Sequence, residues 1–354
     1  MAPAAREDTA SGKDLSEVIA ELKSIPFKSR LPLGGRMSTT VGWAFDVTPM
    51  LLDTWKKTAG LLYPYPSYFK PVIFSSLDGT PLSGELALHN DGKARPGLVF
   101  CHGLLGSKNQ NCIRKASIAA YRKWGYNVLA LDLRTFGQSR NLSGALPTGG
   151  KKEGEDIIAA ARFLGSFAEV TTVGVSGYSM GAASTLVACG MDQGEFITGG
   201  ALAWSGFSDT RRMIEFISKS PLPWQPYALV YPIFTICFKL KMLDFQLKGF
   251  KDFVDFFRYS SEEYYGIPEA EGYALASPMN HLDKIETPTI HIHAEDDPVV
   301  PVLEAEDNLA QAESNSNLDV WILPKGGHCS FGAVDPRWYE NVLRTFFDSW
   351  ALRT

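Results

Sequence analysis

Val175-Ser176-Gly177-Tyr178-Ser179-Met180-Gly181-Ala182 sets one serine between two glycines, each two positions away, where the chain changes character. Thr171 to Ser176 is β-rich, and Ala182 to Ala188 (AASTLVA) has the composition of a helix. At the average usage of about 7% each for Gly and Ser, G-x-S-x-G arises by chance roughly 0.1 times in a chain this long, so its context decides its meaning. A serine held in a tight strand-to-helix turn adopts backbone angles that cost about 1–3 kcal/mol, and side chains at neighbouring turn positions would clash. Gly177 and Gly181 remove those clashes, and the helix sets its positive N-terminal end under the serine. The stretch predicts a strand, a sharp turn presenting Ser179, and a helix.

Outward from this turn, short β-rich runs alternate with helical stretches. Val72 to Ser76 and Leu86 to His89 flank the turn signal Asp78-Gly79 and predict an antiparallel pair. Gly97–Cys101, Val128–Asp132, Val173–Tyr178, Ala201–Trp204, Thr289–His293 and Val320–Leu323 are candidate strands of a largely parallel sheet. Helices are predicted over Ile113–Trp124, Gly154–Phe167, Met180–Cys189 and from Pro336, the last with Trp338, Val342, Phe346 and Trp350 on one apolar stripe. The alternation implies an α/β fold with a doubly wound, mostly parallel sheet. It breaks once, over residues 207–285, a stretch rich in aromatic, helix-like sequence and too long for a connection, so a helical cap is expected there. The expected organisation is an N-terminal extension over 1–71, a core formed by 72–206 and 286–354, and the cap between them. Within the extension, residues to about Arg36 are polar and expected to be loosely ordered. Val41 to Leu62 is apolar enough for one or two docking helices.

A serine hydroxyl is too weak an acid to attack unaided, so a histidine base and an orienting carboxylate are required. Among six histidines, His328 in the glycine-rich loop Pro324-Lys325-Gly326-Gly327-His328-Cys329 follows the last predicted strand. His291 and His293 lie within a strand and read as structural, while His89 and His281 lie in the early hairpin and the cap's exit. His293-Ala294-Glu295-Asp296-Asp297-Pro298 follows a strand directly. Asp297, fixed by Pro298, is the preferred acid, Asp296 the second choice and Asp209 a more distant one. The order along the chain is Ser179, Asp297, His328.

With these motifs in place, the chain resembles an α/β-hydrolase-fold serine hydrolase of esterase or lipase type over about Val72 to Trp350. The carriers are the elbow GYSMG, the acid loop AEDDPVVP and the histidine loop GGHCSF. The resemblance implies an oxyanion hole from the loop after the third strand. His102-Gly103-Leu104 matches the family's His-Gly-x pattern, which makes the N–H groups of Leu104 and Met180 the two donors and His102 a loop-shaping residue. Losing one such donor costs on the order of 3 kcal/mol of transition-state stabilisation. Asp132-Leu133-Arg134-Thr135-Phe136-Gly137-Gln138-Ser139 resembles another family segment with Thr135 in place of glycine, a departure expected to reshape the site's rim. A serine rather than an aspartate nucleophile points to acyl transfer and away from dehalogenase or epoxide hydrolase chemistry. The cap's aromatic load favours an ester with an apolar moiety. The family also holds thioesterases, aminopeptidases and acyltransferases, and a non-catalytic ligand-binding protein on the same fold is the rival of another class.

Bulk properties narrow the partners. Of 354 residues, 39 are acidic and 34 basic, giving a net charge of −5 with no long basic run, so nucleic acid is not expected. Five scattered cysteines form no C-x-x-C pair, and no metal-ligand spacing or cofactor motif occurs; Gly149-Gly150-Lys151 does not complete a phosphate loop. The N-terminus has no apolar core of the kind a secretory signal needs, so a cytoplasmic protein is expected. The apolar run Tyr227–Phe238 contains Pro232 and ends at Lys239, short of the roughly 18–20 residues of a membrane span. A homodimer or peripheral membrane contact through the N-terminal segment or cap is the remaining expectation, beside a small-molecule ester or acyl substrate.

Overall fold

The computed structural model describes residues 14–30, 34–39, 42, 64–218, 250 and 252–351. Helix α1 (Leu15–Lys23) precedes the strands β1 (Lys70–Ser75), β2 (Pro81–Ala87) and β3 (Arg95–Cys101). Helix α2 (Asn111–Ala119), continued by a π-helical turn at Ala120–Trp124, leads to β4 (Asn127–Asp132). Next come α3 (Lys151–Gly165), β5 (Val170–Tyr178), α4 (Met180–Asp192), β6 (Ala201–Trp204) and the helices α5 (Thr210–Ser218), α6 (Phe253–Tyr259) and α7 (Glu269–Ala276). β7 (Thr289–Ala294), α8 (Val302–Ala312), β8 (Leu318–Leu323) and α9 (Pro336–Trp350) complete the order.

The eight strands form one sheet in the order β1-β2-β4-β3-β5-β6-β7-β8. β1 pairs antiparallel with β2, and β2 antiparallel with β4; every later pairing is parallel. This is the doubly wound, mostly parallel sheet expected. β4, β6 and β7 are buried along their whole length, and β3 and β5 beyond their first two residues, because helices cover both faces. On one face α3, α4 and α8 contribute Ile157, Leu164, Leu186 and Ala305 to a core shared with the cap helices. On the other, α2 and α9 contribute Ile113, Ala116, Val342 and Phe346. In the parallel part of the sheet all carboxyl ends point to one edge, where ligands bind in open α/β sheets.

Two helices fall where the sequence pattern predicted none. α1 overturns the expectation of a loosely ordered N-terminus: Asp14 caps it by accepting the Glu17 N–H at 2.9 Å, and Leu15, Val18 and Leu22 bury into the α9 face of the core. Phe27 continues the contact edge-to-face on Trp338, with centroids 4.9 Å apart. α8 mixes polar and apolar residues without a clean stripe and buries Glu304, Ala305, Asn308 and Ala312. The insertion between β6 and β7 is helical where described, and α5, α6 and α7 bury Met213, Ile214, Phe256, Phe257 and Tyr273. The predicted helices over Val41–Leu62, apart from helical Gly42, and the run Tyr227–Phe238 lie outside the described residues. No helix among the described residues is long and apolar enough to cross a membrane.

Candidate active site

Ser179 stands between β5 and α4 with φ 57° and ψ −123°, a strained conformation for a residue with a side chain. Its N–H donates to Trp204 O at 2.8 Å, and its carbonyl accepts the N–H groups of Ala182 and Ala183. The flanking glycines are demanded by close approach. A Cβ at Gly177 would lie 2.3 Å from Gly181 O, and one at Gly181 would lie 2.3 Å from His102 O. The turn therefore packs backbone on backbone and holds the serine outward.

His328 Nε2 lies 2.8 Å from Ser179 Oγ, and His328 Nδ1 lies 3.0 Å from Asp297 Oδ2. These three side chains, distant in sequence, meet at the carboxyl edge of the sheet. Asp297 is buried and saturated: its Oδ1 accepts the N–H groups of Val299 at 2.8 Å and Val300 at 2.9 Å. Burial alone would raise its carboxyl, but the charge and hydrogen bond of His328 hold it below the ordinary carboxylate value. Ionised Asp297 can thus keep the Nδ1 proton on His328 and leave Nε2 to accept from Ser179. His293, with Nε2 4.0 Å from the same carboxylate oxygen, is buried, and burial depresses its imidazole. It stays in β7 with His291, away from the serine, as their strand positions predict.

The other acid candidates are placed elsewhere. Asp296 accepts the N–H groups of Gly326 at 2.8 Å and Gly327 at 2.7 Å on one oxygen and of Gly35 at 2.6 Å on the other. It is a clamp that ties the histidine loop and the N-terminal extension to the end of β7. Asp209 accepts the Arg212 N–H at 3.1 Å at the start of α5. Thr39, a residue no motif singles out, accepts the His328 N–H on its hydroxyl at 2.7 Å, and Ser205 Oγ accepts the Cys329 N–H at 3.0 Å. Only the folded chain brings residues 35 and 39 to this loop.

On the opposite side of the serine, Gly103 allows the loop after β3 to approach: a Cβ there would lie 2.7 Å from Ser179 Cβ. His102 is fully buried, with Nδ1 donating to Gly103 O at 2.8 Å and Nε2 accepting the Leu133 N–H at 3.2 Å. Burial depresses its imidazole, so it serves as a neutral tie within the loop. Lys108 anchors the loop's far end in a fully buried ion pair, 2.5 Å from Asp132, whose other oxygen accepts the Lys108 N–H at 2.7 Å. Met180 opens α4, so its N–H is among those a helix leaves without an internal partner. Leu104 and Met180 both line a cavity of about 470 Å³ that contains Ser179 and His328. Met213, Ile214 and Phe257 of α5 and α6 wall one side of it, beside Val299 and Val300.

The model of the alpha/beta hydrolase family matches residues 98–342 of the 354, from β3 to α9. The chain belongs to that family. A Synechocystis sp. protein, provisionally named an esterase, is 26% identical over 310 residues, covering 77% of this chain and 79% of that protein. Two solved structures share the fold. The Pyrococcus furiosus esterase Pf2001 superposes with a TM-score of 0.58 at 20% identity, covering 82% of this chain and 95% of that one. The 2,6-dihydroxy-pseudo-oxynicotine hydrolase superposes at 0.57 with 14% identity, covering 95% of this chain and 86% of that one.

Within this alpha/beta hydrolase, the departure at Thr135 does not reach the site's rim. Thr135 is buried, takes φ 73° and donates its hydroxyl to Ala145 O at 2.8 Å, and it is not among the described residues lining the cavity. A glycine would suit that backbone; here the hydroxyl's hydrogen bond offsets part of the strain. The neighbouring Arg134 is fully buried, 2.6 Å from Asp156 and 2.9 Å from Asp78, and its guanidinium reaches the Tyr265 hydroxyl at the cap's exit, at 3.3 Å. Cys101 and Cys329 sit next to the loop after β3 and the loop of His328, but burial pushes both thiols well above the ordinary range. They pack and do not supply a thiolate.

Proposed function

We propose that this protein is a serine hydrolase that cleaves carboxylic esters bearing an apolar moiety through an acyl-serine intermediate. The observation that carries it is the unbroken hydrogen-bonded line from Asp297 through His328 to Ser179, opening on a cavity with apolar walls. Similarity to a provisionally named esterase supports the same reaction class.

In this reaction Ser179 Oγ attacks the ester carbonyl while His328 Nε2 takes its proton. The carbonyl oxygen becomes an oxyanion received by the Leu104 and Met180 N–H groups, aided by the positive end of α4. Asp297 steadies the imidazolium without taking the proton. Collapse expels the alcohol, protonated by His328, and leaves the acyl-serine; water then attacks it through the same base, releasing the acid and restoring Ser179. The dimer or membrane-surface contact proposed for the N-terminal segment, Val41 to Leu62, or the cap, 207–285, falls largely on residues outside the described structure in the first and partly so in the second.

The test is pre-steady-state hydrolysis of p-nitrophenyl esters. A burst of p-nitrophenol equal to the enzyme concentration, followed by slower turnover in water, is the expected result. Absence of any ester turnover by folded protein overturns the proposal. Consumption of the acyl-enzyme by an added alcohol or amine with negligible hydrolysis would make the protein an acyltransferase.

A further inference from the structure

The cavity at Ser179 does not end under the cap. Past Tyr178 it continues on the opposite face of the sheet from α3 and α4, between helices α2 and α9. α2 turns Cys112, Ala116 and Ala119 toward it, spaced as one helical face, and α9 turns Tyr339 and Leu343 toward it, one turn apart. Trp124 lies at its far end. Lys123 and Glu340 tie the two sides together across it with an ion pair of 2.8 Å. Tyr178 and Tyr339 both line the cavity and hydrogen-bond through their hydroxyls, which directs those polar atoms to each other.

We propose that this passage between α2 and α9 holds a long, unbranched aliphatic chain attached to the ester carbonyl, so that the favoured substrates are medium- to long-chain aliphatic esters. The proposal rests on Ser179 being the nucleophile. From Cys112 to Ala119 the helix rises about 10 Å. An extended chain built from ~1.5 Å bonds advances about 1.25 Å per carbon, so the passage takes roughly eight carbons beyond those at the serine. A slot between two helices favours a linear chain over a branched or ring-bearing one. The cap side, walled by Met213, Ile214 and Phe257, is left for the other substituent of the ester.

The experiment measures kcat/KM for p-nitrophenyl esters from acetate to palmitate on the full chain, and for decyl acetate, in wild type and in two variants. Cys112→Phe narrows the entrance at a half-buried position; Ala119→Leu shortens the passage deeper in. Wild type should gain about fourfold per added methylene until the passage fills, near decanoate. The ratio of decanoate to acetate should fall about a hundredfold in Cys112→Phe, and Ala119→Leu should move the optimum to shorter chains. A response confined to p-nitrophenyl esters puts the chain on the acyl side and supports the assignment; one confined to decyl acetate puts it on the alcohol side and overturns it. A wild-type optimum at acetate or butyrate, or chain-length profiles unchanged in both variants, overturns it. If no ester of the series is hydrolysed, the Ser179 reading has failed, and calorimetry of 1-decanol with Ser179→Ala protein decides the passage alone. Binding that Cys112→Phe abolishes supports it, and no binding overturns it.

Discussion

The two halves of the proposed active site are built on different principles. The nucleophile half is local: β5, the turn at Ser179 and α4 are consecutive in the chain, and Gly177 and Gly181 make the turn fit. The base half is assembled from four separate places. Asp297 follows β7, His328 follows β8, Ser205 follows β6, and Gly35 and Thr39 come from the N-terminal extension. Short-range geometry can be written into eight residues. A base held by hydrogen bonds from across the fold depends on the whole fold being made.

The strongest way to test this contrast is to remove the base. His328→Ala should lower kcat on the order of 10⁴- to 10⁶-fold while leaving the elbow's backbone intact, because members of a triad act as a unit. Circular dichroism and kinetics on the same sample check it; a loss under tenfold would show that another group takes the proton. Asp297→Asn should cost about 10⁴-fold in kcat with little change in fold, since an amide cannot hold the Nδ1 proton on the imidazole. If Asp296→Asn cost more than Asp297→Asn, the acid would be misassigned.

How the two halves are encoded decides how much of each was legible. The elbow, the strands that carry the site and the order Ser179, Asp297, His328 follow from local pattern, because a parallel strand between helices reads as an apolar run bounded by turns. The clamp by Asp296 and the support from Thr39 do not, because hydrogen bonds between residues about 260 to 290 positions apart leave no periodic trace. α1 did carry a signal: Leu15, Val18 and Leu22 follow the capping Asp14, but polar neighbours dilute the stripe. α8 buries small and polar side chains, including Glu304 and Asn308, so hydrophobic spacing understates it. Thr135 shows the opposite limit. A motif flags the departure, and only the backbone shows that it is internal.

Smaller effects separate support from chemistry. Thr39→Val keeps the side chain's shape but removes the acceptor of the His328 N–H. It should lower kcat about tenfold with KM little changed, since leaving such a buried donor unpaired costs on the order of 1–3 kcal/mol. Thr39→Ser should restore most of the rate. A loss in Thr39→Ser with none in Thr39→Val would mean that the methyl, and not the hydroxyl, matters.

The strand that leads to Asp297 should also confer acid lability. Burial, and then the neighbouring His293, push the His291 imidazole down to about 3. The unfolded chain, with an ordinary histidine near 6.5, binds a proton that the folded chain refuses between those values. Stability is therefore fully present above about pH 6.5 and falls by up to about 1.4 kcal/mol per pH unit below it. Urea unfolding from pH 7 to pH 4 should show that slope, and His291→Gln should flatten it. An unchanged slope would move the acid sensitivity elsewhere.

The central claim, that the strained serine of the elbow is the nucleophile and is activated by the distant histidine, is tested most directly by a fluorophosphonate probe followed by peptide mass spectrometry. The account predicts one phosphonyl adduct per chain on the peptide containing Ser179, none on folded Ser179→Ala protein, and labelling slowed by orders of magnitude in His328→Ala. Folded wild-type protein that stays unlabelled, or that is labelled at another residue at a rate indifferent to both substitutions, would contradict it.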